Sequence, residues 1–337
     1  MLESRRGIDA ARARERMVQQ YRVGIHGVGE GLVGESAAIQ AVRQQIARCA
    51  AARTNVLITG ESGVGKEVVA RAIHGASPRA RGPFVPVNCG AIPEAQLESQ
   101  LFGHVRGAFT NGEPSGAGLF VAADNGTLFL DEIGEVPFPL QVKLLRAIED
   151  KQVWAVGATT PAPVDVRLIA STARDLAGEV SAGRLREDLF YRLNVVHIPV
   201  PPLRERRSDI PLLVDHFVQT LNSKLGTAFV GVDRQAMRLL IANPWKGNVR
   251  ELENVLERAM LLGEGDLIHA RYLAAVPPST SPRPTELREA VREFERRHIL
   301  EVLEQTGYDK REAARTLGIS LASLYRKLAL DADATDE

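Results

Sequence analysis

The chain predicts an α/β fold: a parallel sheet built around a phosphate-binding loop, closed by a helical lid and followed by a small all-α domain. Three observations carry that prediction. The string Gly60-Glu61-Ser62-Gly63-Val64-Gly65-Lys66 lies between a short apolar run, Asn55–Thr59, and a helical pattern, Glu67–Ile73. A second apolar run from Gly126 ends in the adjacent acids Asp131 and Glu132. Near the C-terminus, two short helical patterns flank Gly318-Ile319.

At 337 residues the chain has room for about two or three domains. Its 42 basic and 42 acidic side chains cancel, so whole-chain charge argues neither for nor against nucleic acid. Cys49 and Cys89, the only cysteines, have no metal-ligand spacing and sit in apolar surroundings, as reduced buried thiols of a cytosolic protein do. No apolar run reaches membrane-spanning length, and the start of the chain lacks the apolar core of a signal peptide; a cytoplasmic protein without membrane contact is expected. The seven histidines show no zinc-site spacing, and structural roles are expected for each.

Residues 1–29 carry Arg5, Arg6, Arg12, Arg14, Arg16 and Arg22 against few acids, the composition of a basic tail or short exposed helix. That segment is too short for a sensory domain, which points to control by a separate protein or by expression level. Residues 30–205 alternate strands with amphipathic helices: Val56–Thr59, Phe84–Val87, Thr127–Leu130 and Val166–Ala170 as strands, Gln141–Glu149 as a helix. Such alternation implies a parallel sheet covered by helices.

Strand, glycine loop and helix in that order aim backbone N–H groups and a helix N-terminus at one point, which binds phosphate. Gly60, Glu61, Ser62, Gly63, Val64, Gly65 and Lys66 are therefore candidate nucleotide contacts, with Lys66 a point charge for the β- and γ-phosphates. Glu67 stands where a Ser or Thr commonly ligates magnesium, so the metal must lean on another carboxylate. Asp131 is that carboxylate, at the carboxyl end of a parallel strand where ligands bind. Glu132 is the group that polarises the attacking water. Adjacent acids also occur as solvated strand ends, but the loop upstream favours the nucleotide site. The cofactors expected are ATP and Mg2+.

Residues 206–275 turn wholly helical, as a lid would. The prolines of residues 276–285 cannot continue a helix or a central strand and read as a semi-rigid linker. In residues 286–337, Leu287, Val291, Phe294, His298, Ile299 and Val302 fall at helical spacing. Two shorter helices follow, Lys310–Leu317 and Ser320–Ala329, with Ser320 as cap. Helix, glycine turn and helix make a helix-turn-helix arrangement. Lys310, Arg311, Arg315, Arg326 and Lys327 against Glu312 form a phosphate-facing stripe, with a small helical interaction domain as the plainer alternative.

With those residues in place, the chain closely resembles the bacterial enhancer-binding proteins, AAA+ activators of sigma-54 RNA polymerase. The resemblance runs from about Leu32 to Leu330 and includes Phe190-Tyr191-Arg192-Leu193-Asn194, Asn243-Pro244-Trp245 and Gly247–Asn254. The tail resembles the Fis-type DNA-binding domain, and Glu67 is normal in the family. The resemblance implies a ring-forming ATPase, most simply a hexamer, that binds upstream DNA through paired DNA-binding domains. It implies that Asn88 restrains the catalytic glutamate, and that Arg186 and Arg192 act between subunits. Arg250 becomes the lid arginine that senses nucleotide, and Thr172 the strand-end sensor, with Ala173 in place of the family's asparagine. It also assigns DNA contacts to Ser320, Ser323, Tyr325, Arg326 and Lys327.

The family's sigma-54 loop, Gly-Ala-Phe-Thr-Gly-Ala, reads Gly107-Ala108-Phe109-Thr110-Asn111-Gly112 here. Phe109 and Thr110, the sigma-54 contacts, are kept; Asn111 and Gly112 depart, and Val121 replaces a common acid after Phe120. The principal expectation is ATP-driven remodelling of sigma-54 holoenzyme. The alternative is a regulator of the same build that acts through DNA alone, and a AAA+ motor for another substrate comes third.

Overall fold

The structure, a computed structural model, describes residues 31–105, 116–273, Glu295, Ile299, Val302, Leu303, Thr306 and 309–329. The basic segment before Gly31, the tip of the Gly107–Gly112 loop with Phe109 and Thr110, and the proline linker lie outside the described residues. The chain divides into two compact units, Met1–Val276 and Pro277–Glu337.

In the first unit, five strands form one parallel sheet: β1 Val56–Thr59, β2 Phe84–Asn88, β3 Thr127–Asp131, β4 Arg167–Thr172 and β5 Val196–Pro199, in the order β2-β3-β4-β1-β5. Side chains alternate along each strand. Ile58, Phe84, Phe129 and Ile169 pack on one face with helices Ala37–Ala50 and Lys66–Gly75, while Leu57, Val85, Leu128 and Leu130 pack on the other around helix Phe138–Glu149. Register aligns the carboxyl ends: Asn88 pairs with Asp131, and Thr59 with Thr172. The polar residues that end four strands thus collect along one edge.

The base of the altered loop is described although its tip is not. Gly103–His104 pairs antiparallel with Gly116–Ala117, and Val156 N–H donates to the Gly103 carbonyl. A Cβ on Gly118 would come within 2.3 Å of the Phe102 carbonyl carbon, so this neck admits only glycine there. Val121, where the resemblance places an acid, packs against the sheet core.

The lid consists of helices Ile210–Leu225, Arg234–Ala242, Asn248–Leu262 and Ala270–Leu273. It is not wholly helical as expected. Gly231–Val232 and Leu267–Ile268 form a two-stranded parallel pair, too short to leave any period in the sequence. The lid closes around fully buried Trp245, whose indole N–H donates to the Leu240 carbonyl at 2.7 Å.

In the second unit, helices Lys310–Thr316 and Leu321–Ala329 pack Ala313, Ala314 and Leu324 against Ile299, Val302 and Leu303. Gly318, at φ 66°, makes the turn that glycine adopts without strain. Asp309 caps the first helix through the N–H groups of Arg311 and Glu312. The Asp309-to-Glu312 spacing is a capping signal in the sequence that the helical pattern alone overlooks.

Both cysteines are free and buried; burial pushes the Cys89 thiol up to about 12. His74 is buried against Thr127 Oγ at 2.9 Å, and burial lowers its pKa to about 4. His216, by contrast, lines the cleft described next rather than only supporting the fold. Among the described residues no helix is long and apolar enough to cross a membrane.

Candidate nucleotide site and DNA-binding unit

β1 delivers the chain into the loop at Gly60, and Gly65, at φ 102°, starts helix Lys66–Gly75. Gly63 sits at φ 78°, and a Cβ there would meet the Gly247 carbonyl oxygen at 2.3 Å. Neither its conformation nor its space admits another residue. Lys66 is 7% exposed, with Nζ 2.9 Å from the Gly60 carbonyl and 3.5 Å from Glu132 Oε1. The lysine thus reaches back along its own loop and across to β3.

Asp131 Oδ1 accepts hydrogen bonds from Ser171 Oγ and from the Glu132 N–H. Its other oxygen has no partner among the described residues. Glu132 has a left-handed backbone, φ 54°, uncommon for a side chain of this kind and a mark of functional geometry when packing enforces it. Its Oε2 accepts from the Ala173 N–H at 3.2 Å.

These groups face a cleft of about 840 Å³ lined by Ser62, Gly63, Gly65, Lys66, Glu67, Asn88, Asp131 and Glu132 on the sheet side. Leu213, His216, Phe217, Val249, Arg250 and Glu253 line it from the lid. The donor set suits a nucleoside triphosphate: N–H groups at a helix N-terminus, a buried lysine and an apolar lid wall. It also suits magnesium held by one carboxylate together with phosphate oxygens and water, since no group of three metal-ligating side chains exists among the described residues.

Several sequence-assigned residues are placed differently. Glu61 does not line the cleft: its carboxylate pairs with both terminal nitrogens of Arg204 at 2.7 and 2.8 Å and accepts from Asn248. Those bonds, Arg204 foremost, hold its pKa at about 2. Val64 is buried beneath the loop, and Gly60 ties its N–H to the Thr172 carbonyl. Glu67 enters the wall but pairs its carboxylate with Arg71 one turn on, which leaves Asp131 the better magnesium partner. Thr172 is fully buried and its Oγ accepts from the Arg174 N–H, so it cannot touch nucleotide directly. Asn88 directs its side-chain oxygen at the N–H groups of Gly90 and Ala91, while Lys66 and Ala173 hold Glu132. The side chain of Asn88 therefore does not restrain Glu132 in this state.

Arg186 and Arg192 lie away from the cleft. Arg186 precedes helix Glu187–Leu193 and pairs with Asp188 at 2.8 Å; Arg192, in that helix, is 4.0 Å from Glu149. Sequence reasoning missed Ser171, which fixes Asp131, and also Arg204, Arg206 and Asn248, which grip the loop from outside. The doubled arginine after Pro201-Pro202, where core meets lid, was the available signal.

In the second unit, Ser320 Oγ accepts from the Ser323 N–H at 3.1 Å and donates to Ser323 Oγ, so this pair caps the helix. Tyr325 is exposed, with Lys310 Nζ 5.0 Å from its ring centre. Lys327 is not a free phosphate contact: it pairs with Glu295 at 2.5 Å. The Arg326 side chain lies outside the described residues.

A glycine loop, a strand-end acid pair and a lid that presents an arginine define a AAA+ ATPase with a helix-turn-helix appended. Models of three families match in succession: the sigma-54 interaction domain over residues 32–199, the AAA+ ATPase lid domain over 204–290 and the Fis family of bacterial regulatory proteins over 290–329. The transcriptional regulatory protein ZraR of Escherichia coli K12 is 51% identical over 302 residues, covering 89% of this chain and 68% of ZraR. The response regulator protein PilR of Pseudomonas aeruginosa is 47% identical over 315 residues, covering 90% and 71%. NtrX of Brucella abortus, solved in complex with ATP, superposes with a TM-score of 0.69 at 37% identity over 97% of this chain and 74% of that one. The chain belongs to the family of sigma-54-dependent transcriptional activators: it is a nucleotide-binding AAA+ ATPase that regulates transcription and carries a Fis-type DNA-binding domain.

Proposed function

We propose that the chain binds ATP with Mg2+ in this cleft, assembles into a hexameric ring on upstream DNA, and drives the Gly107–Gly112 loop against sigma-54 holoenzyme to open a promoter. The observation that carries this reading is the division of the site. Lys66, Asp131 and Glu132 converge on one cleft, while Arg186 and Arg192 lie outside it on partly exposed pairs, which leaves them open to a neighbour's cleft.

Lys66 neutralises the phosphate tail, and in doing so gives up its 3.5 Å contact with Glu132. Glu132, released and still oriented by its left-handed backbone, accepts a proton from the attacking water. Asp131, pinned through one oxygen by Ser171, offers the other to magnesium. Magnesium, held there by Asp131, would supply positive charge to offset the charge that develops on the phosphate tail. Arg186 of a neighbouring copy would leave Asp188 and reach the γ-phosphate; Arg192 would support the same interface. Arg250 reads the nucleotide from the lid. The pair of free, buried cysteines supports a reducing, cytoplasmic setting.

The deciding test is capture of sigma-54 by the unmodified protein with a transition-state analogue of ATP hydrolysis. Stable capture supports remodelling, and Thr110→Ala should then abolish transcription activation while hydrolysis persists. The substitutions at Asn111 and Gly112 favour one second reading, a regulator that acts through DNA alone. Failure of capture with hydrolysis intact would establish that second reading instead.

A further inference from the structure

The outer side of the phosphate loop is bonded, residue by residue, to the lid and its hinge. The Glu61 carboxylate takes Arg204 and Asn248. The Ser62 carbonyl accepts from Asn248 Nδ2 at 3.0 Å, and the Gly63 carbonyl from the N–H groups of Val249 and Arg250 at 3.0 and 3.3 Å. The Val64 carbonyl accepts from Arg206 at 2.8 Å.

These bonds have a shared geometry. The first N–H groups of a helix have no partner within it, and here the loop supplies one for the helix that carries Arg250. Asn248, which begins that helix, is fully buried at φ 55°, with its side-chain oxygen committed to the Leu203 N–H at 2.8 Å. Its amide nitrogen can therefore point only at Glu61 and Ser62. Arg204 presents a planar fork to the same carboxylate, a geometry that a lysine cannot copy.

We propose that Glu61 is a positioning residue: it touches no nucleotide, but through Arg204 and Asn248 it sets the first turn of the lid helix and so aims Arg250 into the cleft. The proposal rests on the nucleotide reading of that cleft. Phosphate entering the loop is thereby reported to the lid without any contact between phosphate and lid beyond Arg250. A surface ion pair that merely stabilised the fold would act independently of Arg250.

The test is the affinity of the full chain for a β,γ-imido ATP analogue, measured by calorimetry for the parent, Glu61→Gln, Arg250→Ala and the double variant. Each single change should weaken binding about tenfold, and the double should bind no more weakly than Arg250→Ala alone, because both act through one contact. Arg204→Gln should reproduce Glu61→Gln in both backgrounds, and thermal midpoints near the parent's exclude misfolding as the cause. Losses that multiply to about a hundredfold in the double variant, or an unchanged affinity for Glu61→Gln, would overturn the proposal. A parent that binds no analogue would instead overturn the nucleotide reading itself.

Discussion

Two sets of arginines divide the ATPase between them. Arg204 and Arg206 arise where core meets lid and are spent inside the subunit, on the Glu61 carboxylate and the Val64 carbonyl; Arg250, beside them in the fold, lines the cleft. Arg186 and Arg192 sit outside the cleft on partly exposed pairs with Asp188 and Glu149. The first set holds one subunit's machinery in shape. The second is held only by exposed ion pairs, worth about 0–1 kcal/mol each, that a stronger anion would displace; the Arg204–Glu61 pair is as exposed, and the firmer hold of the first set comes from buried Arg206. The same residue type is thus structural or available according to what it is bonded to, and sequence position does not tell the two apart.

The sharpest way to break this contrast is by mixing. Arg186→Ala and Glu132→Gln should each lower ATP turnover about a thousandfold, the scale of an arginine finger or a catalytic base. Mixed together they should regain activity, because some interfaces then join an intact Glu132 to an intact Arg186. No recovery across a titration would mean that each subunit completes its own site and that Arg186 belongs with the internal set.

Stability should separate the sets next. Arg206 is 2% exposed, and Arg206→Leu strips the Val64 carbonyl of its donor and removes a positive charge that favours buried Asp209, a loss of about 2–4 kcal/mol by urea denaturation. Arg186→Ala should stay within about 0.5 kcal/mol of the parent. Equal losses would erase the distinction.

The contrast recurs in the DNA-binding unit. Arg315 is exposed and has no partner among the described residues, whereas Lys327 is engaged by Glu295. Arg315→Ala should weaken DNA binding several-fold and reduce the slope of log affinity against log salt by about one; Lys327→Ala should change that slope less. The reverse order would show that the Glu295 pair opens on DNA.

The smallest effect concerns pH. Glu61 has a folded pKa of about 2 against an ordinary 4.5, so its pair favours the folded state fully above pH 4.5. As pH falls from 4.5 towards 2 that contribution is lost. Because the pair is well exposed, the stability gap between parent and Glu61→Gln should be below about 1 kcal/mol at neutral pH and should close through that window. A gap that widens on acidification would contradict the pairing.

What the sequence made legible follows from distance along the chain. The loop, Lys66 and the Asp131-Glu132 pair are local strings whose elements are fixed by neighbours a few residues away, and the parallel sheet follows from its alternating pattern. The Fis-type helices are legible for the same reason, through Gly318 and their apolar spacing. The outward turn of Glu61 depends on Asn248, 187 positions later, and no local pattern carries that information. Thr172 and Asn88 were assigned by resemblance, which names a position but not the state of its side chain; the Arg174 and Ala91 N–H groups decide that here. The hold of Ser171 on Asp131 spans two strands adjacent in space and 40 residues apart in sequence.

One buried amide has a consequence for how the proposed ring would run. Gln141, 1% exposed, donates to the carbonyls of Val136 and Arg184 and accepts the Arg186 N–H at 2.9 Å. Val136 follows the turn that leaves Glu132, and Arg186 is the residue that the proposed ring would offer to the next copy. A single side chain therefore joins the segment that follows Glu132 to the segment that carries Arg186. Around the proposed ring such joints would act like the links of a gear train: a shift beside one γ-phosphate would become a shift in what the adjoining site receives, and firing would be ordered rather than random. Lengthening or removing that link would leave every site chemically complete and the sites out of step.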